Sequence, residues 1–467
     1  MADATDSRDD QPLPFNVSWG MGSRRPSVPS GHREAAFDDN VSCFRDPANR
    51  ESLLAALEFI PLDREGDVYL SLGGEVRERY EYTHDPLFGA DPQDETGVWL
   101  QRYMLHGDLH LGPHIRLFGQ LFSALEAGRA GGPSPVDENE LEVQNGFLDL
   151  SFAPRQDSRL TLRAGRQELR FGSGRLVDLR EGPNVRRTFD AARAIVEFLD
   201  SRVDGLIARP RATEPGVFDD DANDDQALWG VYATSGASVL LLGRLDLYYL
   251  GFRDDAGAFA QGAEEETRHS VGARFWGEAG NWDWNWEGFY QFGSFGDGAI
   301  HAWTLASETG YTWFDPFWRP RFALSANIAS GDSDPDDANL GTFNPLFPRG
   351  NYFSEDAVLG PRNFFNFHPF VTVDPTEDWS ITVDMNFFWR LETEDGVYSP
   401  SGLLIREANG SDERFVGSAV SLTSDYAITE RLSFTAIYTH FFAGGFIEAT
   451  RPSDDIDFLE FTLQFRF

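Results

Sequence analysis

From residue 67 to the last residue the chain runs in segments of about nine to fourteen residues whose apolar side chains fall on alternate positions. In the first, Val68, Leu70, Leu72, Val76, Tyr80 and Tyr82 share one face; Ser71, Glu75, Arg77, Arg79 and Glu81 share the other. A period of two is the strand signature, because successive side chains leave a strand on opposite sides. The pattern predicts eighteen strands, near 68–82, 98–111, 114–126, 141–153, 159–170, 190–199, 202–210, 226–234, 238–251, 266–277, 281–293, 301–313, 320–330, 363–374, 379–391, 414–427, 431–442 and 456–467.

The connections alternate in length. Short ones fall at 112–113, 154–158, 200–201, 235–237, 278–280, 314–319, 375–377 and 427–430. Long ones fall at 83–97, 127–140, 171–189, 211–225, 252–265, 294–300, 331–362, 392–413 and 443–455. A soluble β-protein has no reason to segregate loop lengths in this way. An outer-membrane barrel does, with short turns in the periplasm and long loops outside. Strand length agrees: a tilted strand needs about 9–11 residues to cross a bilayer, whereas soluble strands cluster near 5–6. The predicted fold is all-β, a transmembrane antiparallel β-barrel of about 18 strands over residues 66–467. Before it, residues 1–65 read as an irregular segment rich in Pro, Ser, Asp and Arg, with a short helix within 51–59. The final strand, with Leu459, Phe461, Leu463, Phe465 and Phe467 on one face, resembles the C-terminal assembly signal of bacterial outer-membrane proteins.

Composition narrows the picture. No apolar run approaches the ~20 residues of a membrane helix. One cysteine, Cys43, excludes an intrachain disulfide and a cysteine-based metal site. No basic and apolar leader is visible at residues 1–6, so an outer-membrane location requires a signal peptide already removed. The net charge of −37 disfavours nucleic acid. There is no lysine, so every fixed cation is an arginine.

In a barrel the apolar face meets lipid and the alternate face lines the lumen. That assignment turns Arg77, Arg79, Arg102, Arg116, Arg163, Arg193, Arg244, Arg274 and Arg390 inward, with Glu75 and Asp384 among the inward acids. The stretch 164–197 adds Arg175, Arg180, Arg186 and Arg187, with Asp178, Glu181 and Asp190 as partners. The expectation is that loop 171–189 folds into the barrel and builds a constriction; the alternative is that its charges pair among themselves and hold the loop's shape. Acids crowd the long loops instead, including Asp332, Asp334 and Asp336, whose spacing offers oxygen ligands for a loop Ca²⁺. An arginine-lined lumen favours anions, and guanidinium matches carboxylate in bidentate fashion.

Several motifs together resemble the alginate export family of eighteen-stranded outer-membrane barrels. They are Leu57-Glu58-Phe59-Ile60-Pro61-Leu62; Leu72-Gly73-Gly74-Glu75 running on to Glu81; Gly165-Arg166-Gln167-Glu168-Leu169; Gly174-Arg175-Leu176-Val177; the run from Gly182 to Asp190; Ala329-Ser330-Gly331-Asp332 with the run from Thr342 to Pro348; Phe388-Trp389-Arg390; Asp395-Gly396-Val397-Tyr398; and His440-Phe441-Phe442-Ala443-Gly444. The resemblance implies passive passage of an anionic polysaccharide, an alginate-like polyuronate, through an arginine-rich pore, with outer-membrane lipid and periplasmic secretion proteins as partners and no cofactor. A general or small-anion diffusion porin on the same barrel is the alternative. A barrel enzyme is the third reading; His106 and His110 are its best candidates, but no nucleophile stands in a distinctive setting.

Overall fold

The computed structural model describes residues 35–39, 41–50, 52–155, 157–236, 243–314, 317–354 and 356–467. Eighteen strands form the barrel: β1 Val68–His84, β2 Val98–Leu111, β3 Ile115–Ala127, β4 Asn139–Arg155, β5 Ser158–Gln167, β6 Phe189–Phe198, β7 Ser201–Ala212, β8 Gln226–Thr234, β9 Arg244–Phe259, β10 Gly262–Ala279, β11 Trp282–Phe295, β12 Gly298–Thr312, β13 Arg321–Ala329, β14 Phe364–Thr376, β15 Trp379–Trp389, β16 Phe415–Ala427, β17 Leu432–Ala443 and β18 Ile456–Arg466. Each pairs antiparallel with its sequence neighbours. β1 pairs with both β2 and β18, which closes the sheet. Closure removes the unpaired strand edges that a bilayer does not tolerate. Of the predicted ninth strand, residues 238–242 lie outside the described residues. Positions 1–34 of the segment read as irregular lie outside them too.

The alternation predicted from sequence sets the two faces. Leu105, Ile207, Leu247, Leu305, Phe322 and Val383 are exposed on the outside, while Glu75, Arg77, Arg102, Arg163, Arg193, Arg268 and Arg274 are buried inside. Leu305 sits at the middle of β12, opposite Ile328 of β13, with 58% of its surface free for lipid. A cation there meets hydrocarbon. Leu305→Arg should therefore destabilise the barrel by about 2–4 kcal/mol, read as the shift in a urea unfolding midpoint in vesicles; a shift under about 1 kcal/mol would place the lipid belt elsewhere.

Two of the long loops expected from sequence are not loops. Residues 252–265 and 294–300 belong to strands that continue past the membrane and turn over two residues, 260–261 and 296–297. Arg253↔Thr267 and Asp254↔Glu266 are still in register there, and Phe295 faces Gly298. The acids Asp254, Asp255, Glu264 and Glu265 signal water, but water alone does not make a loop; ladder hydrogen bonds persist in strands that project beyond the bilayer.

The other long connections differ in kind. Those at 168–188 and 330–363 fold into the barrel and dock on each other: the Phe347 amide donates to the Leu176 carbonyl at 2.9 Å, and the Asp178 amide to the Phe347 carbonyl at 2.9 Å. Gly174 allows the turn before this junction, at φ +74°, where a Cβ would meet the Asp178 carboxylate at 2.4 Å. Leu169, Leu176, Val177, Phe343, Phe347, Tyr352 and Phe353 from these loops form one core with inward residues of the wall such as Phe252, Phe289 and Phe388. The loop at 390–414 locks onto this unit. Buried Asp395 accepts hydrogen bonds from the Asp332 amide at 2.9 Å, Thr342 Oγ1 at 2.6 Å and Tyr398 OH at 2.6 Å.

On the periplasmic side, helix α1 (Leu53–Leu57) is capped by Ser52, and Ile60–Pro61 pair with the start of β1. Phe59 stacks on Tyr69 at 4.6 Å. Glu58 forms an ion pair with Arg431, in the turn between β16 and β17. Residues 58–61 are thus tied to the start of β1 and to the turn before β17.

Candidate functional site

The lumen holds three groups of arginines. The first is a charge ladder around the periplasmic half. Cross-strand neighbours share a face, and here they carry Asp108 on β2, Arg116 on β3, Asp149 on β4, Arg163 on β5, Arg193 on β6, Arg202 and Asp204 on β7, Asp246 on β9 and Arg274 on β10. Arg116 bonds Asp108 through Nε and Nη2, both at 2.8 Å. Arg163 grips Asp149 at 2.7 and 2.8 Å. Arg193 and Arg202 share Asp204, each with a 2.6 Å contact, and Arg274 meets Asp246 at 3.1 Å. Arg163 and Arg193 stand directly opposite each other. Like charges so placed repel, and Asp149 on one side with Asp204 on the other offsets that repulsion. Further round, Arg321 on β13 bonds Asp283 and Glu308. The ladder from Asp108 to Arg274 borders a cavity of about 720 Å³ that also reaches Asp38, Asp39, Arg159, Glu168 and Phe171.

The second group lies where loop 168–188 meets β1 and β2. Glu75 accepts from Arg102 Nε at 2.8 Å and Arg466 Nε at 3.1 Å. Glu181, carried in by the loop, forms ion pairs with Arg102 and Arg186 and lies 3.7 Å from Arg77. Arg77 also donates to the Glu181 carbonyl and to Asn184, and Arg79 to the Gly182 carbonyl. Burial alone would raise the pKa of Glu181, but Arg102, Arg186 and Arg77 hold its carboxyl well below the ordinary range. Arg186 mirrors this: burial works against its charge, and Glu181, Glu168 and Glu75 push its pKa up.

The third group is inside the loops. Arg170, Arg175, Arg180, Arg187 and Arg349 gather around two acids, Asp178 and Glu287. Arg170 meets Asp178 at 3.2 Å, Arg175 approaches Glu287 at 3.5 Å, and the Arg180 amide donates to Asp178 at 2.8 Å. Arg187 donates to the Pro348 carbonyl at 3.2 Å and lies 5.2 Å from the Phe347 ring. Among the described residues no carboxylate is within ion-pair distance of Arg187. Burial, then repulsion from Arg180, pushes its guanidinium down to about 9.

Loop 168–188 does fold inward, and it both pairs internally and reaches the wall. Not every predicted site residue joins these groups. Asp190 has the strand parity of Ala192 and Ala194, which are exposed to lipid, and it bonds Arg211 at 3.0 Å and Arg166 at 3.4 Å. It is no partner in the constriction: three residues from Arg193 means the opposite face. Asp384 points inward but binds His368 at 2.9 Å rather than an arginine. Arg390 is fully buried, bonded to the carbonyls of Thr393, Asp395, Ser411 and Glu413, and stacked 3.8 Å from the Phe446 ring. It staples loop 390–414 and does not line a pore. Arg244, at the periplasmic end, lies over the Trp276 ring at 5.6 Å.

The carboxylates of Asp332, Asp334 and Asp336 do not converge. Asp332 accepts the amides of Asp334 and Gly341. Among the described residues the acids that do converge are Glu142, Asp219 and Asp220, with ligand atoms within 4.8 Å of one another. His110 stacks on Tyr69 at 4.3 Å and meets Asp108 at 3.2 Å, and His106 stacks on Phe118; both rings are wall residues. Sequence reasoning missed Arg202, Asp204, Asp149 and Arg321, whereas Arg268 has the inward parity of Arg274 and is buried. The signal was there: Arg202-x-Asp204 puts opposite charges two apart, on one face of a strand.

Comparison with known proteins places these features. The family model described as alginate export matches residues 68–457. No curated protein matches the chain. Among solved structures, Pseudomonas aeruginosa OccK5 (OpdH) is similar at 12% identity and TM-score 0.54, with 85% of this chain and 98% of that one covered. Pseudomonas aeruginosa OccK2 (OpdF), solved in complex with glucuronate, is similar at 11% identity and TM-score 0.56, with 88% and 98% covered. Pseudomonas aeruginosa OpdK, solved with vanillate, is similar at 10% identity and TM-score 0.55, with 85% and 98% covered. At such identities the likeness speaks for the fold alone.

Proposed function

Since the chain belongs to the alginate export family, and is an outer-membrane channel rather than an enzyme, we propose that its cargo is an anionic polysaccharide of the alginate-like, polyuronate class. One observation carries this reading. Five lumenal arginines, Arg116, Arg163, Arg193, Arg202 and Arg274, on β3, β5, β6, β7 and β10, border a single cavity. Each is already bonded to a carboxylate of the wall, so an incoming uronate exchanges with an existing partner instead of falling into a deep well. A chain of such exchanges lets a polymer enter and also leave, as conduction demands. The acidic outer loops oppose entry of a polyanion from outside, and material arriving from the periplasm meets the ladder first.

A small-anion channel is the second reading. The cavity, at about 720 Å³, is bounded by loop residues Glu168 to Gly172 above and Asp38 and Asp39 below, which is room for a small solute. OccK2 and OpdK, of the same fold, were solved with glucuronate and vanillate. Planar-bilayer recordings separate the two. Oligouronates added on the periplasmic side should block the current, with dwell times that lengthen with the number of sugars. Block by monomeric glucuronate without length dependence favours the small-anion reading. No block by either, together with weak ion selectivity, overturns the anion assignment.

A further inference from the structure

The cavity mouth holds an aromatic socket that the channel reading does not need, and the chain fills it with itself. Phe37 is buried, 7% exposed, although it lies thirty residues before the first barrel strand. Its ring meets Phe118 edge-on at 5.9 Å and Phe147 edge-on at 5.4 Å, both inward residues of the wall. The Arg163 guanidinium lies 4.9 Å from the same ring. The Phe37 carbonyl accepts a 2.7 Å hydrogen bond from Arg116 Nη2, the nitrogen that also holds Asp108. Ala35 and Phe37 join Phe118 and Phe147 in one cluster with Leu179, which belongs to constriction loop 168–188. Asp38 and Asp39 follow directly and line the cavity.

We propose that residues 35–39 are an internal stopper, and that its seat is a binding site for an aromatic side chain followed by carboxylates. Edge-to-face rings and a cation over a ring are directional contacts, and two of the ladder arginines contribute to the seat. The stopper offers this ladder what a uronate would offer it, an acceptor oxygen on Arg116 and carboxylates beside it. Solute and stopper compete for the same guanidinium groups; that competition rests on the reading above, whereas the blocked mouth does not. The contact with Leu179 couples the stopper to the constriction loop, so leaving the seat exposes an apolar face of that loop.

The experiment is conductance of the full-length channel in planar bilayers, in potassium chloride with no uronate present. Phe37→Ala should raise single-channel conductance about twofold or more, because the ring stands in the mouth of the ion path; Phe37→Trp should keep the low level. Reversing the two acids, Asp38→Arg with Asp39→Arg, should repel the segment from Arg116 and Arg163 and raise conductance in the same way. The peptide Ala-Ala-Phe-Asp-Asp, added on the periplasmic side of the Phe37→Ala channel, should restore block. Barrels shown to be folded by heat-modifiable migration, yet conducting like the parent in both the Phe37→Ala and charge-reversed forms, would overturn the proposal. Failure of oligouronates to block, with Phe37→Ala still conducting more, would count against the polyuronate cargo and leave the stopper standing.

Discussion

Glu181→Gln should loosen the loop at residues 168–188 and make the channel noisier and more conductive. Glu181 is the loop acid at the junction with β1 and β2 that Arg77, Arg102 and Arg186 surround. All three arginines are buried. Removing one partner of a buried ion pair leaves uncompensated charge, which destabilises by roughly 3–5 kcal/mol. Glu75 remains nearby, 2.7 Å from Arg102 and 3.8 Å from Arg186, so the lower end of that range is expected. The loss falls on the docked loop, since the barrel wall keeps its ladder bonds. The pH dependence follows from the same contacts. The Glu181 carboxyl is held well below its ordinary value of 4.5, so its stabilising contribution is complete above that value and fades as pH falls through the lower, folded one. Current noise should be flat from about pH 8 to 5 and rise only in stronger acid. In Glu181→Gln the noise should be high throughout. A variant with the parent's unfolding midpoint and a quiet current would mean the loop is held by the hydrophobic junction at Val177 and Phe347 alone.

How much of this was written in the sequence varies with the physics of each part. Strands that cross the bilayer declare themselves, because lipid on one side and water on the other force strict alternation; β18 and β15 are read directly. Beyond the membrane both faces of a strand are wet, so the tips of β9 to β12 lose the alternation and pass for loops. Inward arginines are visible by parity, but parity says nothing of height along the barrel or of what a loop later places on top. Arg163 and Arg390 look alike in sequence; one borders the cavity and the other is sheathed in loop carbonyls. Asp190 was a different error, of register rather than of depth, since counting residues from Arg193 would have turned it outward. Phe37 gave no signal at all, because its partners Phe118 and Phe147, paired across β3 and β4, lie about a hundred residues away.

Arg187→Leu should separate stability from function. Arg187 is half-buried, has the Pro348 carbonyl and the Phe347 ring for company, and has Arg180 as its repelling neighbour. Its pKa, pushed down to about 9, marks a cation with too little negative charge around it. Such a group is unfavourable to the fold while it stays charged, and that cost begins to fall as pH rises past the folded value and is gone only above the ordinary arginine value. Leucine removes the charge and continues the apolar junction of the two loops. A gain of about 1 kcal/mol is expected, as when buried ionic groups give way to hydrophobic ones of similar size. The parent should also gain stability between about pH 8 and 10 while the variant does not. Anion selectivity should fall, because Arg187 belongs to the group in which arginines most outnumber acids, and a passing carboxylate supplies what the protein omits. The measurement is the reversal potential across a salt gradient, alongside the unfolding midpoint. Arg186→Ala serves as the contrast: Arg186 is bonded to Glu181 and faces Glu168 and Glu75, so its loss should destabilise the loop and leave an excess of acid. A stabilised Arg187→Leu channel with an unchanged reversal potential would show that this arginine excess faces the protein rather than the passing anion.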